Sequence, residues 1–286
     1  MKKTAQCLTL LGAAAATGAV YSHFIEPNML RRRNFSVGNG ENGKIVRIVH
    51  FTDVHLGRFY SIRKFNRLVA DIKKLNPDIV VFTGDLIDNP TEYPVDTERV
   101  SRILKRIKAP LGKYAVTGNH EVRHAYVNKY ESILKKGGFR LLRDDSVYLP
   151  EYNINIVGCE SSTMENKKNT QRLIPLGRKN FSHIECCDKL MSIGAFNILL
   201  THEPDTVDEL TNRCCDLVFA GHSHGGQIRC PIIEKMYIPP LARKYTRGLN
   251  TTYDGCLVHT CEGVGMTRFP FRFCCPPTIG VADIKL

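Results

Sequence analysis

Five apolar runs in this chain stop on the same kinds of residue. "RIVHFTDVHLG" closes on Asp53 and His55, "DIVVFTGDLID" on Asp85, "KYAVTGNHE" on Asn119 and His120, "FNILLTHEPD" on His202, and "DLVFAGHSHGG" on His222 and His224. Each run is short and rich in β-branched residues, the composition of a strand covered on both faces. After the first, "KFNRLVADIKKLN" places Phe65, Leu68, Val69, Ile72 and Leu75 on one helical face. Leu104 and Ile107 suit a second helix, and "ESILKKGGF" a third, closed by Gly137 and Gly138. "INIVGCE", "GCLVHT" and "IGVADIKL" read as further strands. Strands that alternate with helices and then dominate the second half imply an α/β fold.

In open α/β sheets ligands gather beyond the carboxyl ends of the strands, so side chains far apart in sequence can converge there. One His pair alone reads as a polar loop; five such endings in one chain do not. Carboxylate, imidazole and amide oxygen together suit borderline divalent ions such as Mn, Zn, Fe or Ni, whereas calcium avoids so many imidazoles. Two ions about 3.5–4 Å apart, sharing one carboxylate, clamp the attacking and leaving oxygens of phosphoryl transfer. A formal charge of +12 agrees with an anionic partner, whether nucleic acid, lipid headgroup or phosphorylated substrate.

The ordered set D-x-H, G-D, G-N-H-E, a lone His after a strand, and G-H-x-H resembles the calcineurin-like metallophosphoesterases, over residues 48 to 224. "IEPNML", "THEPD", "GHSHGGQ" and "GVGMTRFPFRFCCPP" extend the likeness to the YkuE/YaeI-like membrane-associated branch, which also resembles LpxG-type UDP-2,3-diacylglucosamine pyrophosphatases. The resemblance implies a four-layer αββα sandwich with two mixed β-sheets and a metal-dependent phosphohydrolase. It implies two divalent ions, Mn first and Zn, Fe or Ni otherwise. One would be held by Asp53, His55, Asp85 and His224, the other by Asp85, Asn119, His202 and His222, with Asp85 as bridge. His120 would be catalytic, stabilising the transition state or protonating the leaving oxygen, with Glu121 as a candidate to orient it. Gly221, Gly225 and Gly226 would let the chain turn around His222 and His224.

Outside these motifs, Arg58 and Arg268 are candidate contacts for a substrate phosphate. The alternation of Phe269, Phe271 and Phe273 in "TRFPFRF" reads as a half-buried strand, or else as a strip for an acyl chain. His50, His124, His183 and His259 match no motif and read as core or surface residues. Most of the eleven cysteines read as small buried hydrophobes in a reducing compartment. Residues 1–25, with Lys2 and Lys3 before an apolar stretch, read as an N-terminal signal or membrane anchor. Residues 26–44 read as a linker and 45–286 as the catalytic domain. The expected partners are a phosphoester, lipid-linked nucleotides included, and a membrane surface, with the cytoplasmic face favoured over export. The expected reaction is hydrolysis of phosphodiester or pyrophosphate bonds, with UDP-2,3-diacylglucosamine as candidate substrate giving lipid X and UMP. A nuclease or nucleotide phosphodiesterase is one alternative. No interleaved aromatic and basic groove pattern supports it, so no stable nucleic-acid partner is expected. A non-catalytic membrane-tethered metal-binding module is the other, and it conflicts with the complete ligand set.

Overall fold

In the computed structural model, which describes residues 2–40, 43–162, 182–229 and 238–286, the apolar runs become inner strands of two six-stranded sheets. The first sheet runs β1 (Arg31–Val37), β12 (Thr278–Lys285), β2 (Ile45–Phe51), β3 (Ile79–Phe82), β4 (Gly112–Ala115), β5 (Arg140–Leu141). Strands β2 to β5 are parallel, and β12 is antiparallel to β2. The second sheet runs β10 (Gly248–Thr251), β11 (Leu257–Thr260), β9 (Leu217–Ala220), β8 (Phe196–Leu200), β7 (Ile154–Gly158), β6 (Asp145–Leu149). It is parallel at its centre and antiparallel at both edges.

The period of two along each strand feeds two cores at once. Val46 and Ile48 of β2, with Ile79 and Val81 of β3, face Ile156, Ile198, Leu200 and Phe219 of the other sheet. Val49 and Phe51, with Val80 and Phe82, face the helices α2 (Ile62–Lys73), α3 (Thr97–Lys105) and α5 (Val127–Lys136) through Phe65, Leu68, Val69, Ile72, Leu104 and Leu134. On the far side of the second sheet Val157, Leu199 and Val218 pack on α6 (Ser182–Lys189) through Ile184 and Cys187. Full burial of such side chains contributes about 1.5–3 kcal/mol each. The result is the expected αββα stack with two mixed sheets.

Three expectations need correction. Residues 26–44 are not simply a linker, because Arg31–Val37 pairs with β12 along its whole length. The arginines of "RRRNFSV" hide this strand from sequence reasoning: it is an edge strand with outward charges, ordered by main-chain pairing. The folded unit also begins earlier. Buried Glu26 accepts the N–H groups of Cys274 (2.9 Å) and Cys275, and the Ser22 carbonyl accepts Arg272 N–H at 2.9 Å. Lys2–Val20 forms a helix, α1, and among the described residues no helix is long and apolar enough to cross a membrane. Last, "TRFPFRF" is no strand. It is a loop whose alternation is inverted, with Arg272 fully buried and Phe269 and Phe273 exposed.

Candidate dinuclear metal centre

Strands β2, β3 and β4 of one sheet and β8 and β9 of the other end at a common rim, where the chain turns sharply. Asp53 (φ 51°), His55 (47°), Asp85 (59°), His222 (66°) and His224 (49°) all adopt left-handed backbone angles, each costing a non-glycine residue about 1 kcal/mol or more. Hydrogen bonds hold the turns in place: Asp53 N–H donates to the Gly84 carbonyl and His55 N–H to that of Asp85, both at 3.0 Å. Two glycines make room. A Cβ on Gly118 would sit 2.2 Å from Asp85 Oδ1, and one on Gly221 2.4 Å from Asp53 Oδ2. Gly221 therefore serves close approach, while Gly225 and Gly226 make the turn (φ 58° and 80°).

Two groups of side chains meet here. In the first, His224 Nε2 is 3.1 Å from His55 Nε2 and 3.3 Å from Asp53 Oδ1. That carboxylate oxygen is buried and accepts no hydrogen bond from the described residues. In the second, His202 Nε2 is 3.1 Å from Asn119 Oδ1. Asp85 joins them, its Oδ2 lying 3.5 Å from His55 Nε2 and 3.4 Å from His202 Nε2. Donors about 2.1 Å from a common ion sit about 3 Å apart, so the spacings fit two cation positions that share Asp85. His222 packs beside His202, ring centroids 4.9 Å apart, and its Nε2–H donates to the Pro240 carbonyl at 3.1 Å. Nδ1 is then the nitrogen it can offer a cation.

The imidazoles are held by what lies behind them. His202 Nδ1–H donates to the Thr83 carbonyl at 2.6 Å, which turns Nε2 toward the site. Between His55 and His224 the protons are divided. Burial opposes charge on both rings, but Asp53 and Asp88 raise His55 to about 10, while burial takes His224 down to about 3. One ring donates and the other accepts, as their N···N contact requires.

His120, on the short helix α4 (Asn119–Arg123), lines the same cavity of about 170 Å³ as His55, Asp85, Asn119, His222 and His224. Its Nδ1–H donates to the Asp88 carbonyl (2.5 Å) and its main-chain N–H to Asp85 Oδ1 (2.8 Å), so Nε2 is the free nitrogen, 3.9 Å from Asp85 Oδ2. Burial lowers its pKa. Glu121 does not orient it. The Glu121 carboxylate instead accepts the N–H groups of Asp85 (2.9 Å), Leu86 (2.9 Å) and Gly118 (2.8 Å), tying two ligand loops together. Burial and the Asp85 carboxylate push it up to about 7, against the pull of those three donors.

Motif reasoning misses Asp88, whose Oδ1 lies 3.3 Å from His55 Nδ1 and 3.6 Å from His120 Nδ1. Its position three residues after Asp85 in "GDLID" is the only signal. Beyond the ligand candidates the cavity wall includes Arg268 and Arg123, the latter marked by no motif, together with Ile228 and Phe269. Arg58 is misplaced by the sequence reading: it is exposed, lies over the Phe59 ring and lines no part of this cavity. His50 and His259 are core residues, their Nδ1 atoms 3.2 Å apart.

Residues 46–226 match the calcineurin-like phosphoesterases, and every ligand segment falls inside that match. The chain belongs to this family. Like its members it is a metal-dependent phosphohydrolase with a dinuclear site built from His and Asp side chains. The phosphoesterase is 31% identical to the metallophosphoesterase YkuE of Bacillus subtilis, over 96% of this chain and 92% of that one. It is 27% identical to the UDP-2,3-diacylglucosamine pyrophosphatase LpxG of Chlamydia trachomatis (96% and 95%), and 23% identical to the phosphodiesterase YaeI of Escherichia coli (95% and 94%).

Proposed function

We propose that this phosphoesterase hydrolyses a phosphodiester or pyrophosphate bond in a lipid-linked substrate held at a membrane surface, with UDP-2,3-diacylglucosamine the leading candidate. The single observation that carries the chemistry is Asp85 Oδ2, placed 3.5 Å and 3.4 Å from imidazole nitrogens of two separate groups. Asp53, His55, Asp85 and His224 would hold one ion, and Asp85, Asn119, His202 and His222 the other. Two such cations, Mn in the first instance, supply Lewis acidity toward phosphoryl oxygens and an activated water near neutral pH. The protein's own groups do the rest. His120 Nε2 holds or delivers a proton at the leaving oxygen, with the Asp88 carbonyl fixing its ring.

Support for the substrate class comes from the walls. Arg123 and Arg268 put positive charge beside the ligands, where a second phosphate of a diphosphate would rest. Phe269, in the same wall, is exposed, as are Phe273 and, at the end of the N-terminal segment, Phe24 and Ile25. Such side chains suit acyl chains and a lipid surface. The relation to LpxG agrees in substrate chemistry.

The test uses the full chain in detergent, because Glu26 and β1 belong to the folded unit. With Mn present, the protein is offered UDP-2,3-diacylglucosamine, a chromogenic diester and its monoester, with Asp85→Ala as control. UMP release from the lipid, absent in the control, is expected. Cleavage of the generic diester without UMP release refutes the lipid substrate and leaves the metal chemistry standing; equal activity of Asp85→Ala refutes both.

A further inference from the structure

Away from the dinuclear centre, four metal-capable side chains meet where α6 crosses the second sheet. Asp144 precedes β6 in a left-handed conformation (φ 51°), Cys159 follows β7, and His183 and Cys187 stand one turn apart on α6. Residues four apart on a helix share a face. Cys159 and Cys187 are fully buried, and their sulfurs and an Asp144 carboxylate oxygen all lie within 4.8 Å of one another. Cys187 Sγ is 3.9 Å from Asp144 Oδ1, and Asp144 Oδ2 is 2.5 Å from His183 Nδ1.

We propose that Asp144, Cys159, His183 and Cys187 form a third metal site, separate from the catalytic pair, that takes zinc. Two sulfurs, one nitrogen and one oxygen make a donor set suited to tetrahedral zinc and poorly suited to manganese, which prefers oxygen. Zinc–sulfur bonds of about 2.3 Å place two sulfurs about 3.8 Å apart; the sulfurs and Asp144 already lie within 4.8 Å of one another, while His183 reaches them through Asp144 and must turn toward the sulfurs to complete the set. Glu160 also lies close, but Arg143 Nη2 holds its carboxylate at 2.7 Å. Without an ion, hydrogen bonding between the two thiols and burial keep Cys159 protonated. Binding therefore displaces the Cys159 proton, because the thiolate is the form that ligates. The buried sulfurs form the floor, and Asp144 and His183, with side chains 21% and 25% exposed, form the entrance.

The ion would stiffen the turn that follows β7, outside the cavity that holds the dinuclear centre. Immediately after Cys159, Ser161 N–H donates to Thr117 Oγ1 at 3.1 Å and Ser161 Oγ–H to Glu203 at 2.6 Å, next to the ligand candidate His202. The site is thus structural, and removing it leaves the catalytic ligands in place.

The experiment is cobalt(II) titration of the full-length, reduced protein, with metal counted per chain. The dinuclear centre offers no sulfur ligand, so a thiolate-to-cobalt charge-transfer band that depends on Cys159 and Cys187, rather than on the chain's other cysteines, reports the third site. Expected are that band and three ions per chain; in Cys159→Ser and Cys187→Ser, no band, two ions and phosphoesterase turnover within about twofold of the parent. Because buried Ser can impair folding, His183→Ala, at the entrance, is the second variant, and it should weaken the band-forming affinity at least tenfold. A parent protein with two ions and no band overturns the proposal, as does a band that survives both Cys substitutions. A Cys159–Cys187 disulfide in the protein as isolated, found by intact mass before reduction, also overturns it.

Discussion

Arg272 offers the sharpest test of the structure outside the metal ligands. Its guanidinium is fully buried and donates to four main-chain carbonyls: Gly265 (3.1 and 2.6 Å), Cys275 (3.0 Å), Glu262 (2.9 Å) and Gly263 (3.1 Å). Replacing it with Met keeps the length and removes every donor. The Gly263 carbonyl retains the Thr278 N–H at 3.2 Å, but the other three are stripped, at about 1–3 kcal/mol each. Relief from burying a cation offsets several kcal/mol of that total of about 3–9, so the net loss is near the lower end, about 3 kcal/mol. Against a typical stability of about 5–15 kcal/mol this is large. It also reaches the active site, because Gly265 N–H donates to the Asp53 carbonyl at 2.8 Å and Val264 N–H to that of Thr52 at 3.2 Å. Urea unfolding followed by circular dichroism should show Arg272→Met strongly destabilised and poor in bound metal, with Arg272→Lys between it and the parent. A stability within about 0.5 kcal/mol of the parent refutes the carbonyl-clamp reasoning.

Three further outcomes are expected. Asp88→Asn removes the carboxylate beside His55 Nδ1 but keeps the carbonyl that holds His120, so metal affinity, measured by chelator competition, should fall about 10–100-fold. His120→Gln should lower turnover by about 10²-fold or more with metal content unchanged; loss of metal would make it a structural residue instead. Because Asp53 and Asp88 hold His55 near 10, it is protonated below that pH in the metal-free protein, and cation uptake must release its proton. Affinity should therefore rise with pH through the neutral range, about tenfold per unit for each proton released, and fall in acid. Calorimetric titrations at about pH 6 and pH 8 in buffers of different ionisation heat check this; a pH-independent affinity counts against it.

The sequence alone determined the inner strands, the helical face of α2, and the side chains that gather at the strand ends, because these depend on local periodicity and on which residue follows an apolar run. It also marked the metal chemistry, since imidazole, carboxylate and amide recur in one order along the chain. Tertiary structure decided what depends on partners distant in sequence. Strand β1 exists only through β12, 247 residues away at the paired Arg31 and Thr278, and its arginines disguise it. Glu121 braces two loops rather than His120, because the N–H groups of Asp85 and Leu86 come to it across the sheet. Arg58 and Arg272 look alike in sequence, yet one is exposed over Phe59 and the other is buried among carbonyls. No local pattern separates them, since the fate of a charge depends on whether distant main chain supplies enough acceptors to replace water.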